Sequence, residues 1–161
     1  MKVLAIDPGY GRCGVAVVEK ENGKENLLYS ACIETHAKTD FPERLGMIVR
    51  KCEQIVKTYE PNSMALERLY FTSNHKTAMK VAEVRGALIA VAAKFDIGIF
   101  EYTPSQVKSA VAGWGNADKN QIAKMLHSLM KIKRSIKYDD EYDAIAIGVT
   151  HLACSQNSES S

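Results

Sequence analysis

Residues 2–18 read KVLAIDPGYGRCGVAVV, and this stretch decides the fold. It contains a short apolar strand, an acid at the end of that strand, a glycine-rich turn and a second apolar strand. A carboxylate at a strand end is costly to bury alone, because a charge removed from water needs a partner. A cation, a phosphate-bound metal or the N–H groups of the glycine turn could supply one. Asp7 therefore predicts a site for metal or phosphate chemistry.

Apolar spacing and turn signals along the rest of the chain predict alternating strands and helices. Strands are predicted over 2–7, 13–19, 27–34, 63–67 and 97–101, and helices over 42–59, 74–94, 104–111, 118–131 and 140–153. The first three strands follow one another too closely for parallel crossovers, so they form an antiparallel meander. The expected fold class is α/β, with a mixed five-stranded sheet (three antiparallel strands, then parallel strands) flanked by helices.

The size and composition of the chain predict one globular domain. The 161 residues are 46% hydrophobic, which is enough for a single core. We expect the domain to cover 1–153 and the polar, serine-rich residues 154–161 to form a flexible tail. The four cysteines are scattered and no apolar run approaches the roughly 20 residues of a membrane span. These features predict a cytoplasmic protein with no membrane partner.

The net charge of +2 conceals an uneven distribution of charge. Residues 104–137 carry seven Lys and Arg side chains against the single acid Asp118. A local basic block suits a face that binds a polyanion, although a solvated helix surface explains it equally well.

Four acids are expected to meet at one edge of the sheet. Asp7 and Glu67 each end an apolar strand, and the carboxyl ends of neighbouring parallel strands open on the same edge. Asp140 and Asp143 are three residues apart, so they share one face at the start of the last helix. Their mutual repulsion is tolerable near the positive end of a helix, and a divalent cation would make their proximity favourable.

An all-oxygen set of ligands suits Mg²⁺ or Mn²⁺ rather than zinc. Two such ions can activate a water and stabilise the leaving oxygen in phosphodiester cleavage. Each acid also has an ordinary explanation: Asp7 could cap the glycine turn, Glu67 could be a surface acid, and Asp139 or Asp140 could cap the helix. It is the joint pattern that favours a metal centre.

Several motifs together resemble the RuvC Holliday-junction resolvases. They are IDPG at 6–9, ALE at 65–67, PSQVK at 104–108, GNADK at 115–119, and DEYDAIAI at 140–147 followed by Thr150 and His151. They occur in the family's order and spacing over essentially the whole chain. The resemblance implies an RNase H-like fold, a homodimer and a divalent metal. It also implies paired, symmetric nicks in four-way DNA junctions during recombination and repair, leaving 5′-phosphate and 3′-hydroxyl ends.

The resemblance assigns the catalytic acids, which are also the metal ligands, to Asp7, Glu67, Asp140 and Asp143. It implies two Mg²⁺ ions per subunit, with Mn²⁺ as a substitute. Asp139 and Glu141 lie close enough to Asp140 to compete for its role.

The resemblance also implies DNA contacts. Tyr70 and Phe71 follow the mid-chain acid, where an aromatic ring can stack on unpaired bases at the centre of a junction. One of the two is expected to lie in the core instead. Lys108 and Lys119 match family lysines near the scissile phosphate. The implied partners are four-way junction DNA, a second copy of the chain that contacts helix 74–94, and, as candidates, branch-migration proteins of the RuvA and RuvB type.

Three other functions compete with a junction resolvase. A module that binds junctions without cutting them would not need four acids beside DNA. An actin-like kinase fold would also place an acid and glycines after its first strand, but it needs two domains of this size. A related RNase H-like nuclease acting on RNA is the third alternative, and the position of Tyr70 and Phe71 favours the resolvase over it.

Overall fold

The structure is a computed structural model that describes residues 1–69 and 74–159, with side chains described as far as residue 155. Its strands are β1 (Lys2–Asp7), β2 (Arg12–Glu21), β3 (Lys24–Glu34), β4 (Ser63–Glu67) and β5 (Gly98–Tyr102). Its helices are α1 (Phe41–Tyr59), α2 (His75–Lys94), α3 (Pro104–Ala112), α4 (Lys119–Leu129) and α5 (Asp139–Glu159).

The five strands form one mixed sheet in the order β3-β2-β1-β4-β5. The β1–β2 and β2–β3 pairs are antiparallel, whereas β1–β4 and β4–β5 are parallel. The predicted fold class is therefore confirmed, including the division into an antiparallel meander and a parallel half. In this order β1 and β4 are neighbours. Asp7 and Glu67, which end these two strands, can therefore contribute to one site.

The β2–β3 hairpin is tighter than predicted. Asn22 and Gly23 both have positive φ angles, 51° and 75°, and connect strands that reach Glu21 and Lys24. An Asn-Gly pair is the preferred sequence for a two-residue turn of this kind, because both positions need a left-handed backbone. The two strands consequently include residues 20, 21 and 24–26, which lie outside the predicted strands 13–19 and 27–34.

Side-chain alternation gives the sheet two apolar faces. Leu4 and Ile6 point into a core shared with α1 and α2, whereas Val3 and Ala5 point into a core shared with α3, α4 and α5. On the second face α5 packs close to the sheet, because the residues beneath this helix are small. At Gly148 of α5 a Cβ would lie 2.7 Å from Cγ2 of Val18, so the helix approaches the sheet more closely than a side chain there would permit.

His151 fixes the middle of α5 to the sheet. Its Nε2 lies 2.8 Å from Oγ of Ser63 on β4, and its Nδ1 lies 2.8 Å from the hydroxyl of Tyr102 on β5. The side chain is buried, and burial lowers its pKa. These contacts give His151 a structural role, as expected for a buried histidine whose two ring nitrogens both have partners.

The last helix continues beyond the predicted end of the domain. Residues 154–159, which were expected to belong to a flexible tail, continue α5 as a helix up to Glu159. They contain no glycine or proline, so the sequence has nothing that stops a helix. No helix in the two described ranges is long and apolar enough to cross a membrane.

Candidate metal and DNA-binding site

The first two acids of the site come from neighbouring strands. Ile6 of β1 and Leu66 of β4 are partners in the parallel ladder, so Asp7 and Glu67, the next residues, leave the sheet side by side at its carboxyl edge. Both side chains are half-buried. The apolar residues before them are fully buried, and this fixes the direction in which each strand ends.

The other two acids come from the first turn of α5, and a glycine allows that turn to reach the edge. Gly14 of β2 pairs with Asp7 in the antiparallel ladder. A Cβ on residue 14 would overlap the carbonyl oxygen of Asp140, so the backbone of α5 rests directly on the backbone of β2. The start of α5 therefore lies beside Asp7, and Asp140 and Asp143 come with it.

Three consecutive acids at the start of α5 have different partners. Asp140 forms an ion pair with Arg12, with 3.2 Å between Oδ2 and Nε. Asp139 is exposed and pairs with Lys119 at 3.0 Å. Glu141 is buried; it accepts a hydrogen bond of 2.7 Å from the hydroxyl of Ser30 on β3, and it forms an ion pair with Arg134.

These partners separate the competing acids. Glu141 faces β3 and is neutralised there, so it is not available to the edge. The negative charge of Asp140 acts on both Asp7 and Asp143, whereas Asp139 acts on Asp143 and is not among the groups that perturb Asp7. Of the three acids, Asp140 is the one that the structure brings to the Asp7 side of the helix.

The acids at the edge raise one another's proton affinity. Burial, followed by the charges of Asp143, Glu67 and Asp140, raises the pKa of Asp7 to about 8. Burial and the charge of Asp143 raise the pKa of Glu67. Burial also raises the pKa of Asp143. Three half-buried carboxylates thus share one electrostatic environment, which strongly disfavours full ionisation without a compensating positive charge.

Lys108 and Lys119 supply part of that positive charge. Lys108 lies on α3 and Lys119 begins α4. Both lower the pKa of Glu67 and of Asp143, against the effect of burial. Lys119 also lowers the pKa of Asp7. The structure therefore places both predicted lysines next to the acids.

The donor chemistry of this edge suits a hard divalent cation. All the converging donors are carboxylate oxygens, which Mg²⁺ and Mn²⁺ prefer. Burial is the largest cause of the raised pKa of Asp7, Glu67 and Asp143, and neighbouring carboxylates add to it, so a cation bound there would offset both effects. Within residues 1–69 and 74–159, no three acidic, histidine or cysteine side chains are gathered closely enough to hold a metal ion as they stand.

Two of the predicted DNA contacts cannot be placed. Tyr70 and Phe71 lie outside the described residues. Trp114 is exposed on the loop between α3 and α4.

The sequence did not predict a role for Arg12 beside the acids. Its guanidinium pairs with Asp140 and also stacks over the ring of Tyr138 at 5.1 Å. Arg12 follows the glycine-rich turn, five residues after Asp7, and this proximity to the first acid was the only signal in the sequence.

The fold and the site together define the class of RNase H-like nucleases. The sheet is mixed and five-stranded, and carboxylates lie at the ends of β1 and β4 and at the start of a helix packed across them. The chain belongs to one family in this class, the RuvC family: the family model described as Crossover junction endodeoxyribonuclease RuvC matches residues 3–151. The members of this family are metal-dependent nucleases.

Individual relatives agree with that assignment. A Crossover junction endodeoxyribonuclease RuvC from Petrotoga mobilis is 41% identical over 151 residues, covering 94% of this chain and 93% of the relative. A protein of the same name from Desulfitobacterium hafniense is 40% identical over 151 residues, covering 94% of this chain and 92% of the relative. A solved structure described as T. thermophilus RuvC in complex with Holliday junction substrate is 30% identical with a TM-score of 0.92, covering 98% of this chain and 96% of that chain.

Proposed function

We propose that this chain is a structure-selective endodeoxyribonuclease that resolves four-way DNA junctions by paired, symmetric nicks, in recombination and DNA repair. The observation that carries the proposal is the shared electrostatic environment of Asp7, Glu67 and Asp143 at the carboxyl edge, in a chain of the RuvC family. A protein that only bound DNA would gain nothing from carboxylates there, because they repel the phosphates of its ligand.

The catalytic acids of this proposal are Asp7, Glu67, Asp140 and Asp143, and the same four residues would hold the metal. Two Mg²⁺ ions per subunit, or Mn²⁺ in their place, would balance the excess negative charge. Such ions supply activation of the attacking water and stabilisation of the leaving 3′-oxygen. The protein fold positions these acids: the strands fix Asp7 and Glu67, and Gly14 lets α5 bring Asp140 and Asp143 alongside them.

Lys108 and Lys119 are the proposed phosphate contacts, since both stand beside the acids and carry charge opposite to that of DNA. Tyr70 and Phe71 remain the proposed residues that stack on bases at the junction centre, on the strength of their position shortly after Glu67 in the chain. Products with 5′-phosphate and 3′-hydroxyl ends follow from departure of the 3′-oxygen.

The proposed assembly is a homodimer, because two symmetric cuts need two sites related by a two-fold axis. α2 is the proposed part of the interface; its Met79 is 65% exposed, although Arg85 of the same helix is engaged by Glu101 within the chain. RuvA-like and RuvB-like proteins are candidate partners. We propose a cytoplasmic location and a single nuclease domain over 1–153.

Cleavage assays on matched substrates test this function. A synthetic four-way junction and a linear duplex containing one arm's sequence are incubated with Mg²⁺, Mn²⁺ or EDTA, and products are mapped on all strands. We expect nicks at symmetric positions in two opposing strands of the junction, only with metal, and nicks that DNA ligase can seal. Equal cleavage of the linear duplex would overturn structure selectivity. Tight junction binding without product under any metal condition would instead identify a binding module.

A further inference from the structure

A cavity of about 610 Å³ opens beside the carboxylates, between α3, α4 and α5. Four acids (Glu67, Asp118, Asp139 and Asp143) line part of it, and so do Lys108 and Lys119. Its volume falls within the roughly 300–1,000 Å³ of typical small-ligand sites. The cavity is therefore larger than hydrolysis of a phosphodiester group at the edge would require.

The deep lining of this cavity is apolar. Val107 and Tyr142 contribute to it and are half-buried, whereas Ile122, Ala146 and Ile147 also line it and are buried. Neither a phosphate nor a metal ion gains from such walls, because both need polar partners. An apolar wall favours an occupant that presents an apolar surface, because a polar occupant would lose its hydration without gaining a hydrogen-bond partner. The acids and lysines thus explain one part of the cavity and leave the apolar part unexplained.

The combination of linings indicates the chemical class of the occupant. Lys108 and Lys119 attract phosphate groups, whereas Val107 and Tyr142 present surface that suits the flat face of an aromatic ring. Asn120, which also lines the cavity, has an amide that can pair with the polar edge of a base. A nucleotide within a DNA strand presents a phosphate, an aromatic face and a polar edge together.

We propose that this cavity receives one nucleobase, turned out of the stack, from a nucleotide that flanks the phosphate to be cut. This inference rests on the proposed DNA cleavage. Unstacking costs least where base pairing is already interrupted, as at the centre of a four-way junction. The α3, α4 and α5 face would then read the DNA at the cut itself, separately from any base contact made by Tyr70 and Phe71.

Fluorescence of 2-aminopurine tests the proposal on the unaltered protein. The cut site is first mapped, and the fluorescent base is then placed at either nucleotide beside it, with Ca²⁺ in place of Mg²⁺ to hold the complex uncut. The emission of 2-aminopurine is quenched by stacking, so we expect it to rise on binding at one of the two positions. A third probe, placed in the middle of a junction arm, should show no rise.

A variant that fills the cavity provides the second test. Ala123 lines the cavity on α4, whereas Ser128 is exposed on the same helix and does not line it. Ala123→Phe should abolish the fluorescence rise and lower kcat/KM roughly 5- to 150-fold, the equivalent of losing the stacking of one base. Ser128→Phe adds the same ring elsewhere and should leave both quantities unchanged. Thermal melting establishes that both variants fold.

The outcomes separate this proposal from the function on which it rests. If the protein cuts the junction but no probe beside the cut brightens, the base cavity is wrong and the nuclease stands. If Ala123→Phe and Ser128→Phe have the same kinetics, the cavity is likewise refuted. If the protein neither cuts nor binds the junction, the proposed function itself fails. Should Ala123→Phe not fold, the fluorescence of the unaltered protein decides alone.

Discussion

Gly14 of β2 lies in direct backbone contact with Asp140 of α5, and this contact sets the distance between the helix and the acid edge. Gly14 is also the ladder partner of Asp7. One glycine therefore links the acid at the end of β1 with the acids at the start of α5. Its role is to permit a close approach of two backbones, whereas the sequence alone associated the glycines of this region with the sharp turn after Asp7.

Gly14→Ala should separate the acids. The added methyl group cannot fit against the carbonyl of Asp140, so the first turn of α5 must move away from β2. We expect a loss of stability of about 1–3 kcal/mol from overpacking and a fall in cleavage rate on the order of 100-fold from displaced acids. Gly46→Ala is the control, since a Cβ there meets only the flexible end of Arg50. Equal rates for the two variants would rule out this role of Gly14.

The raised pKa of Asp7 predicts how stability depends on pH without metal. The carboxyl has a pKa of about 8 in the folded protein and an ordinary value near 3.8 when unfolded, so folding takes up a proton between those pH values. The free energy of unfolding should therefore fall as pH rises from about 4 to 8. Asp7→Asn removes this dependence and should be more stable at pH 8, on the order of 2–5 kcal/mol.

Urea unfolding in EDTA across that pH range measures this effect. The advantage of Asp7→Asn should be small near pH 4 and grow toward pH 8. Asp40→Asn, at an exposed acid before α1, is the matched control and should track the unaltered protein. If the gain in free energy of unfolding from Asp7→Asn is greatest at low pH, the raised pKa of Asp7 is refuted.

We expect Lys119 to bind a phosphate of the DNA and to stabilise the charged form of the catalytic acids. Lys119→Ala removes a positive charge that lowers the pKa of Asp7, Glu67 and Asp143. We expect junction affinity to fall and the slope of log affinity against log salt to become shallower by about one. Lys124→Ala, an exposed lysine of the same helix, is the control. Identical salt slopes for the two variants would remove Lys119 from the phosphate contacts.

Arg12 should compete with the metal for Asp140. Its guanidinium neutralises part of that carboxylate across 3.2 Å, and its side chain is 53% exposed. Arg12→Ala should strengthen Mg²⁺ binding without DNA about two- to fivefold, because an exposed ion pair contributes at most about 1 kcal/mol. The rise in melting temperature with Mg²⁺ concentration measures this affinity. Arg50→Ala, on α1, controls for the loss of a surface arginine; weaker Mg²⁺ binding by Arg12→Ala alone would contradict the competition.

The strands and their terminal acids were predictable because the relevant signals are local. Apolar runs ending in Asp7 and Glu67 predicted both the strands and the edge of the sheet where these acids lie. The spacing of Asp140 and Asp143 predicted that they share one face of the last helix. The second and third strands were predicted at the correct place but too short, since Asn22 and Gly23 alone suffice for the turn between them.

The rest depended on contacts between residues distant in the chain. The choice among Asp139, Asp140 and Glu141 follows from partners on β2, α4 and β3, which no local pattern specifies. Glu141 is buried because Ser30 and Arg134 meet it there. The contact of Gly14 with α5 likewise appears only once helix and sheet are packed together. The polar composition of residues 154–161 predicted a tail, and the helix α5 extends into that segment as far as Glu159 because nothing in it breaks a helix.

The most direct test of the central claim is single-turnover cleavage of a four-way junction by Asp7→Asn, beside the unaltered protein, in Mg²⁺. The substitution keeps the size of the side chain and removes its charge. The account predicts that the variant folds and binds the junction, that its nicking rate falls by at least about 1,000-fold, in line with the loss of a central transition-state interaction, and that neither strand is cut at the normal sites. Nicking by Asp7→Asn at the normal rate and positions would contradict the four-carboxylate centre.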